Sequence, residues 1–509
     1  MLELYNYTIV KSVRAVCPRC FADDVNFDPE YPIDICDGHL VERDGAIYLR
    51  RFCRRGHGEV WSLYEEHADL WQYLQQWRVP TKIINPDTQS IYPVPMGYEH
   101  GLGPTHLQHS CVFLLDITTQ CNLSCPACYA HSAPENGSYL PLDQAMHAVQ
   151  TAIARENGRL DVVMLSGGEP TVHPHFRELL EALVSLPVTR ILVNTNGIRL
   201  ANDDAFLALL HRHRDRVEVY LQYDGQRAST HLALRGMDLT AIKSRAVERL
   251  SHARVFTTLV MTVTNENSDQ IGEVLDMCFG TPFVGGAMFQ PVFASGRAPE
   301  FDPMARITTT GVLARMEAQS HHGVRAHDLI ALPCSHPDCC SIGYWLKNND
   351  GTLRSVSSIV GEDALKTHLS MFGNSIAFSD GLQHVHEALL GLMSESMTLS
   401  RPELFGHLKA LCAACDLGGL TDLLRIAFGR DATAKFVGER VKRVTVKHFM
   451  DADTLITERL EQCCVHVGGA GNDPVRMPFC AARLFPKVRD RAMQGMATRA
   501  AISHAKNAE

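Results

Sequence analysis

The chain has 509 residues and is mildly acidic, with 48 Lys and Arg against 57 Asp and Glu and a formal net charge of −9. That length predicts two to four domains with a large core, and the charge balance argues against nucleic-acid binding, a local basic groove aside. Seventeen cysteines behind an N-terminus with no signal-peptide pattern point to a reducing, cytoplasmic setting and to metal ligation; no run reaches the ~18 apolar residues of a spanning helix, although peripheral membrane contact is compatible with this composition.

Residues 1–78 read as a small metal-stapled module. Cys17-Pro-Arg-Cys20 is a knuckle, Cys36 follows in Ile-Cys-Asp-Gly-His39, and Cys53 closes the set just before His57. Between them, Leu40 to Phe52 alternates apolar and polar residues around Asp44-Gly45, a hairpin signal. Four thiolates on a knuckle and a hairpin suit tetrahedral zinc or a rubredoxin-like iron, and His39 or His57 could replace one cysteine. So short a segment has little core of its own, which favours a metal with a structural role over four free thiols. Residues 79–110, rich in Pro and Gly, read as a linker in which His100, His106 and His109 are solvated, with metal binding as the alternative.

From residue 111 to about 300, strand-like and helix-like segments alternate. Strands are predicted at 112–118, 161–166, 190–195, 217–223, 255–263 and 284–291, with helices over 141–157, 174–186, 202–213, 239–252 and 267–278. Six such repeats predict an α/β fold built on a partial parallel (β/α)6 barrel, open on one side for a large substrate. The stretch Cys121-Asn-Leu-Ser-Cys125-Pro-Ala-Cys128-Tyr129 leaves the C-terminal end of the first strand, where barrel enzymes keep their chemistry. A [4Fe–4S] cluster is normally held by four thiolates; three here would leave one iron free for a small molecule. Met164-Leu-Ser166-Gly167-Gly168-Glu169-Pro170 is a strand running into a glycine turn. Asn194-Thr-Asn-Gly197 ends the third strand, Gln222-Tyr-Asp224-Gly225 the fourth, and Met288-Phe-Gln-Pro291 the sixth, beside the substrate opening.

Residues 301–509 read as a mainly helical domain, with helical runs at 384–397 and 404–411. It holds eight cysteines: Cys334, Cys339, Cys340, Cys412, Cys415, Cys463, Cys464 and Cys480. They predict an auxiliary iron–sulfur cluster beside the barrel, with a zinc site or inert buried thiols as the alternatives.

The pairing of the Cys121–Cys128 loop with Gly-Gly-Glu-Pro resembles the signature of the radical S-adenosylmethionine (SAM) superfamily. The resemblance implies that SAM chelates the fourth iron, that Gly167 and Gly168 admit its methionyl end, and that Glu169 meets its ammonium. It implies contacts from Asn194, Gln222 and Asp224 to the SAM carboxylate and ribose, and places Tyr129 near the adenine. An electron, from a donor such as flavodoxin or ferredoxin, would then cleave the sulfonium to methionine and a 5′-deoxyadenosyl radical that takes a hydrogen atom.

Longer stretches are similar to the archaeal tetraether lipid synthase group, some members of which are viewed as pterin methylases. These are the Cys-Pro-x-Cys module, Leu221-Gln-Tyr-Asp-Gly, Phe289-Gln-Pro-Val, Ser335-His-Pro-Asp-Cys339, and Cys463-Cys-Val-His466 with Pro478-Phe-Cys480. This likeness implies a mononuclear iron on the N-terminal thiolates. It also implies an auxiliary cluster on Cys339, Cys463 and Cys480, with Cys340, Cys412 or Cys415 as the fourth ligand. The implied reaction removes hydrogen from an unactivated sp3 carbon and forms a carbon–carbon bond on a lipid or other hydrophobic substrate. Archaeal relatives carry a dense cysteine motif just before the barrel; here only Cys111 stands nearby, so one auxiliary cluster is expected to be missing. The rival readings are methylation of a pterin or other small heterocycle, peptide maturation, and a non-catalytic metal or redox sensor.

Overall fold

In the computed structural model, residues 6–23, 35–77, 85–135, 137–298, 302–360 and 438–498 are described, together with 300, 362 and 435. The runs at 384–397 and 404–411, and with them Cys412 and Cys415, lie outside the described residues.

The N-terminal module is a four-stranded antiparallel sheet of β1 (Thr8–Val16), β2 (Ile35–Arg43), β3 (Ala46–Cys53) and β4 (Gly58–Glu65), paired in that order. Asp44 and Gly45 form the β2–β3 turn with φ of 52° and 77°. Two successive positive φ values are what a two-residue hairpin turn needs to match the strand twist, which is why Asp-Gly was legible as one. Helix α1 (Pro18–Asp23) follows the Cys17 knuckle, and α2 (Ala68–Gln75) buries Leu70, Trp71, Tyr73 and Leu74.

Asp338 joins this module to the rest of the chain. Its buried carboxylate accepts from Tyr64 Oη (2.7 Å), Trp71 Nε1 (2.9 Å) and Gln75 Nε2 (2.6 Å). Removing it orphans three donors, two of them on fully buried rings, and each buried orphan costs about 1–3 kcal/mol. Asp338→Ala is therefore expected to destabilise the protein by several kcal/mol, read as a lower urea midpoint; an unchanged midpoint would show that water replaces the carboxylate.

The second sheet is mixed and has 14 strands. Strand β5 (Val112–Thr118), third from one end of the main path, is buried at all seven positions, as expected of a parallel strand covered on both faces. After β6 (Ser138–Tyr139) the chain alternates. Helix α3 (Leu142–Arg155) leads to β7 (Leu160–Gly167), then α4 (Phe176–Val184) to β8 (Val188–Thr195). Helices α5 (Ile198–Asn202) and α6 (Asp204–Arg212) lead to β9 (Val217–Gln222), and α7 (Ala228–Arg235) with α8 (Thr240–His252) to β10 (Thr257–Val263). Helix α9 (Ile271–Gly280) then precedes β11 (Val284–Pro291). In α4 the buried set Phe176, Leu179, Leu180 and Leu183 recurs at the helical period, so one stripe meets the sheet. The predicted 202–213 helix is α6, which starts after Asp203 because that side chain caps it by accepting the Phe206 N–H at 2.8 Å; the short α5 ahead of it was not predicted. Helix α7 is an element the periodicity did not predict.

Beyond residue 300, where a mainly helical domain is expected, the described residues hold helices at Thr309–Gln319, Val356–Val360, Thr457–Glu461, Phe479–Leu484 and Pro486–Ala492 together with strands that the sequence did not predict. The described part contributes β12 (Ile330–Ala331), β13 (Cys340–Lys347), β14 (Leu353–Ser355), β15 (Val441–Lys447), β16 (Val465–Gly468), β17 (Arg476–Pro478) and β18 (Ala497–Thr498). β15 extends the parallel set beside β11, and β16 does so beside β5. The main path of the sheet runs β12-β13-β15-β11-β10-β9-β8-β7-β5-β16-β17, so the tail flanks the barrel on both edges. These strands are short or rich in Lys and Arg, as in Val-Lys-Arg-Val-Thr-Val-Lys, and carry little apolar signal of their own. Among the described residues no helix is long and apolar enough to cross a membrane.

The loop after β11 is tied down by Asp451, which accepts the Ala294 N–H (3.0 Å) and pairs with Arg306 through two bonds of 2.8 and 2.9 Å. Burial works to raise this carboxyl, but the Arg306 guanidinium outweighs it and holds the pKa at about 2. A depressed folded pKa means stability present at neutral pH and lost as pH falls from about 4 to 2, roughly 2 kcal/mol in all. Asp451→Asn is expected to remove that acid limb, read as urea midpoints between pH 2 and 5; an unaltered limb would assign it elsewhere.

Candidate active site

The cysteine loop leaves β5 and is held at three places. Cys121 N–H donates to Ala133 O (3.2 Å), Cys128 and Arg297 exchange backbone bonds of 2.6 and 2.9 Å, and the Arg297 Nε donates to Cys125 O at 2.8 Å. The glycine pair seats the same loop. A Cβ on Gly167, where φ is 119°, would lie 2.1 Å from Thr118 O, and one on Gly168 would lie 2.1 Å from Gln120 O. Only bare backbone lets Gly168 N–H reach Thr118 O (2.8 Å) and Glu169 N–H reach Gln120 O (2.9 Å). The immediate role of the pair is thus to press the β7 turn against the cysteine loop.

Cys121, Cys125 and Cys128 pack with Leu123, Leu239, Ile198 and Ile242, an apolar wall against water. Burial, then the Glu169 charge, pushes the Cys121 thiol up to about 12. Burial likewise raises Cys125, against the pull of the adjacent Arg235. Three thiols crowded in a poorly hydrated site give up their protons to a metal group more readily than to water, so the donor set fits an iron–sulfur cluster.

The three cysteines line a cavity of about 120 Å³ together with Tyr129, Gly167, Gly168, Glu169, Asn194, Gln222 and Arg235. Glu169 is buried; its Oε1 accepts from Thr171 Oγ1 (2.6 Å) and Thr195 Oγ1 (2.7 Å), and its Oε2 from Asn196 N (2.7 Å). A carboxylate offers about four acceptor sites, which leaves Oε2 room for one more donor, such as an ammonium. A polar string crosses the cavity floor: Gln222 Nε2 donates to Asn194 Oδ1 (2.9 Å), Asn194 Nδ2 to Ser166 Oγ (3.2 Å), and Ser166 Oγ shares a 3.1 Å bond with Tyr129 Oη.

Asp224 differs from its sequence-based assignment. It is not on the cavity wall but fully buried behind it, in a two-bond pair with Arg235 (2.6 and 2.7 Å). The wall position belongs to Arg235, which ends α7 next to Cys125. Sequence reasoning missed Arg235 because α7 was not predicted, and missed Arg297 because no spacing marks it. Arg483 is a third: it pairs with Asp116 at 2.7 Å and lies over the Tyr129 ring at 5.1 Å, fixing that ring against Phe479.

A second cavity, of about 80 Å³, fills the bore of the barrel and shares Tyr129, Asn194, Gln222 and Gln290 with the first. Its walls are largely apolar, with Leu114, Met164, Leu192, Met288, Ile342 and Phe449; the cationic exceptions are Arg443, paired with Glu218 at 3.0 Å, and Lys447.

In the N-terminal module the structure gathers Cys17, Cys20, Cys53 and His57, their ligand atoms all within 4.8 Å of one another. His57 Nδ1 lies 3.7, 3.3 and 3.6 Å from the three sulfurs in turn. Cys36 packs against the same cluster through its apolar side, outside that four-atom set. In the tail, burial and the charges of Cys480, Cys464 and Cys339 push the Cys463 thiol up, so Cys339 and Cys480 lie within electrostatic range of it, but the three thiols do not form a group whose ligand atoms all lie within 4.8 Å of one another. Arg459 Nε donates to Cys339 Sγ, and the Met450 N–H to Cys480 Sγ, each at 3.3 Å. Cys340 faces the bore. Cys111, Cys334 and Cys464 form a separate tight group.

Residues 115–278 match the profile of the Radical SAM superfamily. The chain is 25% identical over 472 residues to the 7,8-dihydro-6-hydroxymethylpterin dimethyltransferase of Methanocaldococcus jannaschii, covering 87% of this chain and 89% of that protein. It is 31% identical over 255 residues to the sporulation killing factor maturation protein SkfB of Bacillus subtilis, covering 47% of this chain and 59% of that one. Among solved structures, Streptococcus suis SuiB bound to the precursor peptide SuiA aligns over 36% of this chain and 40% of its own, at 16% identity and a TM-score of 0.32. With three cysteines, a glycine turn and a donor-lined cavity meeting where that profile lies, residues 115–278 are a radical SAM domain, and the protein is a radical SAM enzyme using a [4Fe–4S] cluster and SAM.

Proposed function

We propose that this enzyme forms a carbon–carbon bond at an unactivated sp3 carbon of a largely hydrophobic substrate, a lipid chain being the leading class. The observation that carries the reading is the bore cavity, apolar on most of its wall and adjoining the cluster-side cavity across Tyr129, Asn194, Gln222 and Gln290, which line both. When bound, the cluster on Cys121, Cys125 and Cys128 and the SAM beside it supply a 5′-deoxyadenosyl radical. The chain's own residues do the rest. The Gln222–Asn194–Ser166–Tyr129 string orients polar groups at the junction of the cavities. Met164, Leu192, Met288 and Phe449 hold an apolar carbon there and keep water away. Glu169, with one acceptor site spare, takes the SAM ammonium.

A second reading, methyl transfer to a pterin, has its own support. The M. jannaschii relative matches along nearly the whole chain, and Arg443 and Lys447 give the bore two cationic donors for a polar ring. Anaerobic enzyme, reduced and supplied with SAM, separates the two. A perdeuterated lipid extract is expected to pass deuterium into 5′-deoxyadenosine, and a reduced pterin to leave as it came. Methylated pterin with no label from lipid would replace the first reading by the second, and if neither substrate reacts both fail.

A further inference from the structure

Cys111, Cys334 and Cys464 come from three distant parts of the chain, yet their sulfurs lie within 4.8 Å of one another. Exposures of 1%, 5% and 2% bury all three, and their thiols hydrogen-bond to each other. Their place in the sheet is specific. Cys111 and Cys464 immediately precede β5 and β16, which pair in parallel near one end of the strand order. Cys334 follows β12, the strand at the other end. For their sulfurs to meet, the sheet must curl until its edges approach, and the three thiols mark that seam. No backbone ladder joins β12 to β16 or β17 among the described residues.

A fourth candidate donor, His109, stands against Cys111, outside the set whose ligand atoms all lie within 4.8 Å of one another. His109 Nε2 is 3.4 Å from Cys111 Sγ and 3.6 Å from the Asp161 carboxylate, on a side chain only 14% exposed. Three free thiols make poor glue, since S–H is a weak donor. A tetrahedral ion at about 2.3 Å from each sulfur spaces thiolates by roughly 3.8 Å, inside the 4.8 Å within which all three sulfurs already lie. A cubane carries its thiolates outside four irons and spreads them wider. The excess negative charge of three thiolates on a divalent ion has a counter-charge to hand, because Lys447 is an electrostatic neighbour of Cys464.

We infer that Cys111, Cys334, Cys464 and His109 bind a single zinc ion that closes the barrel seam, separate from the radical SAM cluster and from the N-terminal set. The ion ties the two sheet edges where hydrogen bonds do not, and it holds the bore shut around the reacting carbon.

Metal content decides this on the full-length protein, purified without air from zinc-supplemented cells. C17S/C20S, which empties the N-terminal set whether that set holds zinc or iron, is expected to hold about one zinc ion per chain. Adding C334S should remove the last one while leaving the iron content and 5′-deoxyadenosine formation of the radical SAM site in place. Zinc-edge X-ray absorption of C17S/C20S should show three sulfurs near 2.3 Å and one nitrogen near 2.0–2.1 Å, a readout that needs no change at the seam if C334S does not fold. H109A should keep the sulfur shell and lose the nitrogen. The inference is overturned if C17S/C20S holds no zinc, if C334S leaves zinc unchanged, or if the seam cysteines are found on a four-iron cluster.

Discussion

Cys125→Ala is expected to abolish SAM cleavage while leaving a folded protein. Cys125 is 8% exposed, so its loss opens a small void costing about 1 kcal/mol, within what a domain this size tolerates. The chemical loss is of another order. With two thiolates left, the cluster has no third anchor, and the vacant iron corner is no longer aimed into the cavity that Glu169 and Gln222 line. The rate of 5′-deoxyadenosine formation in dithionite-reduced protein should fall by well over the roughly 10–100-fold that losing an outer partner of a metal site costs. Far-ultraviolet circular dichroism should be unchanged. A Cys278→Ala control, on the buried face of α9 and outside every proposed ligand set, should retain full activity. Retention of even a tenth of the wild-type rate in Cys125→Ala would sink the assignment of this loop as the cluster site.

Arg235→Leu should produce the second-largest effect, and a change of sign in the pH dependence. In the native protein the Asp224 carboxyl feels burial, which raises its pKa, and the Arg235 guanidinium, which wins and lowers it. Its contribution to stability is therefore present at neutral pH and lost as pH falls below about 4. Without Arg235 the buried carboxylate keeps only the Thr262 N–H (3.1 Å) and the Lys243 charge, at a cost of up to about 3–5 kcal/mol for the lost ion pair. Burial, the largest influence on Asp224, is then expected to outweigh the Lys243 charge and the Thr262 N–H and raise the folded pKa above the unfolded value, so stability falls as pH rises through 4 toward neutrality. Urea midpoints from pH 4 to 8 should slope down in Arg235→Leu and stay level or rise in wild type. The double variant Arg235→Leu/Asp224→Leu should regain most of the lost stability, since a matched apolar pair leaves no orphan charge. It should not regain activity, because Arg235 also faces Cys125 and supplies the only guanidinium lining the cavity beside that thiol apart from Arg297. Equal slopes in the two proteins would mean that solvent reaches Asp224.

Local signals were legible wherever one side chain or one backbone angle decides the outcome. Asp44-Gly45 reads as a turn because few other dipeptides accept two positive φ values. The β5 run reads as a strand because seven consecutive residues are buried. The cysteine loop and glycine turn are contiguous motifs, and their register across β5 and β7, Asp116 against Ser166, follows from parallel pairing. Asp224 went the other way. Its position at a strand end suggested a face toward the cavity, and only the packing of α7 put Arg235 in front of it.

The amino-acid order alone settled the chemistry: three thiols on one short loop, a glycine turn able to clasp it, and alternating strands and helices to carry both. Those features act over fewer than a dozen residues, where bonding and sterics leave little freedom. The tertiary structure alone decided that the tail's strands flank both edges of the barrel, that His57 joins three thiols at the N-terminal site, and that Cys111, Cys334 and Cys464 meet. Each of those depends on how a long sheet twists and curls, and that curvature is a sum over many strand pairs that no single stretch of residues encodes.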